Sequence, residues 1–284
     1  MEAKLNTKKD IELKYTPKKK NNIVLYIILI ALSVLFLAPI FIVLYNSFKG
    51  KLYISRTPFA LPNTTTFSGL DNYISGIEKT GFISAFGLSV FITVFSTAVI
   101  ILFTSMTAWY ITRVKSKITS FLYYLFVFSM IVPFQMVMFT MSKIANILNL
   151  DNPIGIIIIY LGFGAGLSVF MFSGFVKSIP IDIEEAAMID GCNPIQTFFL
   201  IVLPLLKPIS ITIAILNVMW IWNDYLLPTL VLGSDYKTLP MAVQYLRGGY
   251  GAVDMGAMMA VLVLAIIPIV IFYLVCQKHI IEGI

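Results

Sequence analysis

The residue types that most often carry catalysis are scarce in this sequence and lie far apart. The chain has one histidine, His279, and two cysteines, Cys192 and Cys276, whose separation fits neither a metal site nor a disulfide framework. No Gly-x-x-x-x-Gly-Lys-Ser/Thr segment occurs, so the sequence predicts no phosphate-binding P-loop. We therefore predict a non-catalytic chain that holds no metal or other cofactor of its own.

Three polar residues stand within or beside long apolar stretches, where a polar side chain is costly unless it has a partner or faces a cavity. Gln135 follows Pro133, while Asn223 and Asp224 follow two tryptophans. Two interpretations of Asp224 are open: a group that contacts a polar solute or water along a pathway, or a hydrogen-bond partner between helices. We predict Gln135, Asn223 and Asp224 as candidate pathway residues.

The elements that must position these residues are apolar. The chain is 59% hydrophobic and 12% charged, and its charged fraction is roughly half that of a soluble domain. Several charge-free stretches reach the roughly 20 apolar residues that cross a bilayer. We predict an all-α membrane protein with six transmembrane helices, at Ile23–Tyr45, Ile83–Ile111, between Lys117 and Lys143, between Asp151 and Lys177, at Ile209–Leu232 with an interruption at Asp224, and at Met255–Cys276. In the fourth stretch, Gly162 and Gly166 have the small-xxx-small spacing of close helix packing.

The lysines and arginines predict the orientation of these helices. Residues 1–22 hold seven lysines and are predicted to form a disordered tail before the membrane domain at 23–284. With this tail inside, about two thirds of the 20 lysines and arginines lie on the inner side, as the positive-inside rule requires. Both termini and the polar loop 178–208 are therefore predicted to be cytoplasmic, and the longer connections 49–81 and 233–254 to be extracellular.

The polar loop carries start and stop signals for two short helices. Asp182 and Glu185 have the spacing of a capping box for a first helix at about Ile183–Asp190. Gly191 fits a left-handed stop for that helix. The pair Asn193-Pro194 fits the N-cap and first position of a second helix.

The same loop contains a longer pattern: Glu185-Ala186-Ala187, three residues, Gly191, nine residues, then Ile201-x-Leu203-Pro204. This pattern resembles the EAA loop of ABC importer permeases. The alternative is an ordinary capped helical hairpin, which requires neither this spacing nor flanking membrane segments. The resemblance implies a type I ABC importer permease architecture and a cytoplasmic coupling helix that docks in a cleft of an ATPase subunit. It implies ATPase coupling for Glu184, Glu185, Ala186, Ala187, Asp190, Gly191, Ile201, Leu203 and Pro204.

Three further patterns are similar to the carbohydrate branch of these permeases, namely Trp222-Asn223-Asp224-Tyr225-x-x-Pro228, Thr238-Leu239-Pro240 and Gln277-Lys278-x-Ile280-Ile281-x-Gly283. The likeness is to the smaller permease of maltose-type and multiple-sugar importers of prokaryotic plasma membranes. It implies a second permease subunit, two cytoplasmic ATPase subunits that bind ATP and magnesium, and an extracellular sugar-binding protein. Two alternatives are open: an importer permease for another polar solute, and a secondary transporter, although no inverted repeat is evident.

The connection 233–254 is longer than two helices need for a turn, and loops of this length are often functional. Its glycines allow close backbone approach, and tyrosine and arginine are enriched in binding hot spots. A solvated connector is the alternative. The resemblance favours contact with the binding protein, for which the candidates are Tyr245, Arg247, Gly248, Gly249 and Tyr250.

Overall fold

The structure is a computed structural model that describes residues 23–246 and 253–282. These residues are mostly helical, and the only β-pairing within them is an isolated bridge between Lys49 and Phe67. The predicted tail 1–22 lies outside the described residues. So do four of the candidate binding-protein contacts, Arg247, Gly248, Gly249 and Tyr250, and the side chain of the fifth, Tyr245.

The helices, in chain order, are α1 (Ile23–Asn46), α2 (Lys51–Arg56), α3 (Asp71–Thr80), α4 (Phe82–Arg113), α5 (Lys117–Ser129), α6 (Phe134–Ile147), α7 (Gly155–Val176), α8 (Ile181–Ile189), α9 (Pro194–Gln196), the π-helix Thr197–Val202, α10 (Leu203–Leu205), α11 (Lys207–Asn223), α12 (Leu226–Val231), α13 (Leu239–Tyr245) and α14 (Met255–Glu282). Among the described residues, 23–42, which are most of α1, belong to one compact unit, and a second unit begins at Val43.

Four helices among the described residues are long and apolar enough to cross a membrane: α1, α4, α7 and α14. They match the first, second, fourth and sixth predicted spans. Two further pairs, α5 with α6 and the 194–205 segment with α11, have the required composition but are bent by 107° and 75°. The described chain therefore has four candidate spans, or up to six if each bent pair is one span.

The region of the third predicted span contains two helices that meet at a bend. α5 ends at Ser129 and α6 begins at Phe134, with Pro133 in an extended conformation between them. Proline has no backbone N–H to donate, and it disfavours the helical conformation of the residue before it, so the helix breaks there. The predicted interruption at Asp224 is confirmed, because α11 ends at Asn223 and Asp224 is extended.

Glycines bring the membrane helices of the second unit close together, but not the pair that the spacing predicted. A Cβ at Gly164 would lie 2.7 Å from Ile100 Cδ1 of α4, and one at Gly166 would lie 2.6 Å from Ser129 Oγ of α5. A Cβ at Gly162 would meet no atom within 4 Å. The close approach therefore uses Gly164 and Gly166, because these two positions face neighbouring helices.

The connection 49–81 is folded against the start of α14. Lys49 is fully buried, and its Nζ donates to the carbonyl of Thr57 over 2.7 Å. Asn72 Nδ2 donates to the carbonyls of Ser47 and Lys49 at 2.7 and 2.8 Å, which ties α3 to the chain that follows α1. Gly76 of α3 leaves room for α14, since a Cβ at Gly76 would lie only 2.7 Å from Cγ2 of Val261 in α14.

Candidate functional site

The first helix of the polar loop begins earlier than its sequence signals predicted. α8 starts at Ile181, after Pro180 in an extended conformation, and no side chain caps its first turn. The predicted capping box of Asp182 and Glu185 is therefore wrong, because both residues lie inside the helix. Pro180 lacks an N–H and has a fixed φ, so it can precede the first turn without leaving a donor unpaired.

Glu184 anchors α8 to the end of α4. Its side chain is buried, and its Oε1 accepts hydrogen bonds from Arg113 Nε at 2.9 Å and Nη2 at 2.7 Å. Its Oε2 accepts from Trp109 Nε1 at 2.9 Å. Arg113 Nη2 also donates to the carbonyl of Ile179 at 2.9 Å. The carboxylate and the guanidinium thus fix the start of the polar loop against a membrane helix.

The stop signal at Gly191 is confirmed. Its φ is 90°, a left-handed value that glycine adopts without a Cβ penalty. The N–H of Cys192 donates to the carbonyl of Ala187, and the N–H of Gly191 donates to the carbonyl of Met188. These two bonds are those of a Schellman motif, which satisfies the last carbonyls of α8.

The second helix of the polar loop begins as predicted. Asn193 Oδ1 accepts from the N–H of Gln196, and Gln196 Oε1 accepts from the N–H of Asn193, both at 2.9 Å. This reciprocal pair is a capping box, with Pro194 in the first helical position. The π-helix follows and buries Phe198, whose ring lies 5.6 Å from that of Trp109.

The remaining signature residues divide between the interior and the surface. Ala187 is buried, and Ile201 and Leu203 are half-buried. Exposed members of the signature are Glu185, Ala186, Asp190, Gly191 and Pro204. Apolar side chains lie beside them on the same loop, with Ile189 86% exposed and Ile195 68% exposed. Large apolar side chains that remain exposed next to a polar rim are typical of a protein interaction surface.

Asp224 pairs with neighbouring helices. Its Oδ1 accepts from the N–H groups of Leu226 and Leu227 at 3.0 and 3.3 Å, at the start of α12. Its Oδ2 accepts from the hydroxyl of Tyr160 in α7 at 3.1 Å. Of the two interpretations that the sequence left open, this geometry favours the bond between helices.

The other two candidate pathway residues are exposed. Asn223 Nδ2 donates to the carbonyl of Met219 within its own helix at 2.7 Å, and Gln135 lies in the first turn of α6. Among the described residues, no hydrogen bond joins Gln135, Asn223 and Asp224 to one another. The structure therefore leaves Gln135 and Asn223 on the surface and places Asp224 in a helix junction.

Comparison with known proteins decides the family. Residues 101–284 match the model of the binding-protein-dependent transport system inner membrane component family. The chain belongs to this family. It is 40% identical over 256 residues to AmyC of Thermoanaerobacterium thermosulfurigenes, a probable starch degradation products transport system permease protein. That alignment covers 90% of this chain and 92% of the relative. It is 37% identical over 263 residues to the multiple sugar-binding transport system permease protein MsmG of Streptococcus mutans, with 91% and 93% covered.

The fold is that of a solved importer. The structure superposes with a TM-score of 0.75 on a chain of a bacterial ABC transporter involved in the import of the acidic polysaccharide alginate. The match covers 90% of this permease and 95% of that chain, at 23% sequence identity. The predicted resemblance to carbohydrate ABC importer permeases is thereby confirmed, and the permease is a multi-pass protein of the plasma membrane.

Sequence reasoning missed three residues that hold the site together: Trp109, Arg113 and Tyr160. A signal existed for the first two. They are four residues apart, so they share one face of a helix, and they follow a long charge-free stretch. That spacing indicates a polar pair at the end of a membrane helix, but nothing local identifies Glu184 as its partner, because that residue lies 71 positions later.

Proposed function

We propose that this permease is the smaller membrane subunit of an oligosaccharide importer, and that its polar loop docks on a separate ATPase subunit. The observation that carries the proposal is the division of α8 between two faces. Glu184 is buried against α4, while Glu185 and Ile189 next to it are exposed. One face is therefore bound to a membrane helix, and the other is available to a partner. An ordinary surface helix also has an inner and an outer face, but its outer face is polar, whereas the outer face of α8 carries Ile189 at 86% exposure.

The anchor supplies the mechanical link in this proposal. Closure of the ATPase pair on binding ATP moves α8, and the hydrogen bonds from Arg113 and Trp109 to Glu184 pass that movement to α4. α4 is packed against α7 and α11, so the bundle responds as a unit. The ATP-bound partner must bind one permease conformation better than the other, since equal affinity would shift no equilibrium.

The membrane topology and the partners belong to the same proposal. The pair α5 and α6 is one span and α11 is another, which makes six together with α1, α4, α7 and α14. Residues 1–22, the polar loop 178–208 and the C-terminus are cytoplasmic. The ATP and magnesium are bound by the two ATPase subunits. A second permease completes the pathway, to which Gln135 and Asn223 contribute directly and Asp224 contributes through the helix junction that it holds. An extracellular sugar-binding protein contacts the 233–254 connection through Tyr245 and Arg247–Tyr250. A related chain is crystallised in complex with a periplasmic protein, which supports that partner.

Relatives support the substrate class. One is named for starch degradation products, another for multiple sugars, and a third for melibiose, raffinose and stachyose. We expect cells that express the whole transporter to take up maltodextrins or raffinose-type oligosaccharides in an ATP-dependent manner. Uptake confined to an amino acid or to phosphate would contradict the sugar assignment and leave the permease assignment in place.

The docking surface is tested by one exposed isoleucine. Ile189→Ser should reduce recovery of the ATPase in a pull-down with the permease, because a hydrophobic anchor at an interface centre often contributes 2 kcal/mol or more. Ile154→Ser is the matched control: its side chain is 68% exposed, but it lies before α7, at the other end of that helix from the polar loop. Equal recovery with both variants would exclude docking through Ile189.

A further inference from the structure

A cavity lies at the end of the helix bundle that carries the polar loop. Its volume is about 780 Å³, it is open to the surroundings, and it is lined by the end of α4, the start of α5 and the end of α7. Volumes of 300–1,000 Å³ are typical of small-molecule sites. The residues that anchor α8, Trp109, Arg113 and Glu184, do not line it, so it is separate from the candidate coupling surface.

The lining of this cavity is cationic. Lys115, Lys117 and Lys177 contribute to it, and no carboxylate from residues 23–246 or 253–282 does. Neither of the two ion pairs found among the described residues involves these lysines. Lys177 Nζ is held 5.5 Å above the ring of Tyr123, which also lines the cavity. Three uncompensated ammonium groups at one cavity favour an anionic ligand.

Two hydroxyl groups at the cavity lack hydrogen-bond partners. Ser173 in α7 is 1% exposed, and neither its Oγ nor the Oγ1 of Thr112 in α4 bonds to any of the described residues. Serines nearby behave differently; Ser178 Oγ donates to the carbonyl of Phe175 at 2.7 Å. A buried hydroxyl without a partner destabilises the folded state, because it has lost its hydrogen bonds to water. Both oxygen atoms are buried behind the cavity wall, so a ligand oxygen satisfies them only where the lining side chains move aside to admit it.

We propose that this cavity binds the phosphate group of an anionic phospholipid. A phosphate offers several acceptor oxygens and negative charge, which suit three ammonium donors and two unpaired hydroxyls together. The cavity lies where three helices of a plasma-membrane protein end, which is the depth of lipid headgroups. Basic pockets between membrane helices are known to take such headgroups. This inference goes beyond the proposed function and does not depend on the transported solute.

The test compares lipids and variants in the assembled transporter. The complex is placed in nanodiscs of phosphatidylcholine alone, or of phosphatidylcholine mixed with phosphatidylglycerol, and lipid retained after extraction is counted by native mass spectrometry. The variant K115Q/K177Q should retain phosphatidylglycerol about tenfold less well, because each lysine adds to attraction for an anionic headgroup. The matched control K207Q/K278Q removes the same charge from exposed lysines outside the cavity and should retain it normally.

Ser173→Ala provides a test that removes no charge. Because Ser173 Oγ has no partner among the described residues, this variant should leave the melting temperature in phosphatidylcholine unchanged or slightly higher. It should reduce the rise in melting temperature that phosphatidylglycerol produces. This variant also keeps the proposal testable if the double lysine variant fails to fold.

A third experiment distinguishes a lipid phosphate from free inorganic phosphate. Inorganic phosphate is added to the complex in a neutral detergent, and the melting temperature is compared with that in added phosphatidylglycerol. A rise with phosphatidylglycerol alone supports the lipid. An equal rise with inorganic phosphate would overturn the lipid source and indicate a site for free phosphate. Equal lipid retention by K115Q/K177Q and K207Q/K278Q, with no effect of Ser173→Ala, would overturn the site itself.

Discussion

Arg113 donates two hydrogen bonds to a single carboxylate oxygen of Glu184, from Nε at 2.9 Å and Nη2 at 2.7 Å. Both side chains are shielded, with 18% of the arginine and 3% of the glutamate exposed. Trp109 occupies the other carboxylate oxygen. The pair joins the last residue of α4 to the first turn of α8, so the EAA segment is attached to the membrane domain by a buried charge pair.

Replacing one member of this charge pair should destabilise the permease more than replacing both members. Glu184→Gln leaves the Arg113 guanidinium partly buried without a counter-charge, and we expect a loss of about 3 kcal/mol in unfolding free energy. The double variant Arg113→Gln with Glu184→Gln leaves no unpaired charge and should recover part of that loss. Thermal unfolding of the two single variants and the double variant gives the coupling energy.

Glu185→Gln is the matched control for Glu184→Gln. The same substitution one residue away falls on an exposed side chain, so stability should change by no more than about 0.5 kcal/mol. Its effect should instead be a weaker association with the ATPase subunit, measured by pull-down. If both variants lower stability equally, the assignment of Glu184 to the buried face of α8 and of Glu185 to its exposed face is wrong.

Short-range signals in the sequence predicted much of the polar loop. The features that could not be predicted depend on contacts between residues far apart in the sequence. Gly191 and Asn193 were predicted because a left-handed stop and an N-cap depend on neighbouring residues alone. The capping box at Asp182 failed because the helix begins directly after Pro180, which places Asp182 inside the first turn. Glu184 as an anchor could not be predicted, because its partner Arg113 lies 71 positions away.

The same distinction holds in the membrane helices. Charge-free stretches predicted α1, α4, α7 and α14, because crossing a bilayer requires a long apolar run. The glycine contacts were harder to predict. Gly162, Gly164 and Gly166 all lie in one helix, and only the positions of α4 and α5 determine that Gly164 and Gly166 are packed while Gly162 is open.

Gly191→Ala should destabilise the turn after α8. The residue has a φ of 90°, where an L side chain is strained, and we expect a loss of about 1–2 kcal/mol. Gly174→Ala is the matched control, since that glycine is inside α7 and a Cβ there meets no atom within 4 Å. Alanine at Gly174 should raise stability by up to about 1 kcal/mol. Thermal unfolding of both variants checks the sign; a loss at Gly174 would contradict the prediction.

Substitutions at Asp224 distinguish a helix junction from a pathway group. Asparagine keeps the oxygen that caps α12, so Asp224→Asn should remain as stable as the original chain and continue to transport. Asp224→Ala removes the cap and should cost about 1–2 kcal/mol. Tyr160→Phe removes one hydrogen bond and should cost about 1 kcal/mol. A stable Asp224→Asn variant with no uptake would show that the carboxylate charge itself acts on the transported solute.

The ion pair between Lys79 and Asp254 should make the packing of α3 on α14 depend on pH. Burial acts to raise the pKa of Asp254, but the hydrogen bonds from Lys79 and the N–H of Ala257, with the charges of Lys79 and Lys51, lower it overall. A carboxylate whose pKa is lowered in the folded state stabilises that state at a pH above its unfolded value of about 3.9. This contribution is lost as the pH falls through the lowered folded value.

We therefore expect Asp254→Asn to speed hydrogen exchange of the α3 amides at pH 7 and to match the original chain in acid, below the folded pKa. The difference at pH 7 should correspond to less than about 1 kcal/mol, because Lys79 is more than half exposed and water screens the pair. Asp71→Asn, at the other end of α3, is the control for loss of a carboxylate and should change exchange of the α3 amides at pH 7 less than Asp254→Asn does. A difference between Asp254→Asn and the original chain that stays constant from neutral to acid pH would mean that the carboxylate charge does not hold α3 on α14.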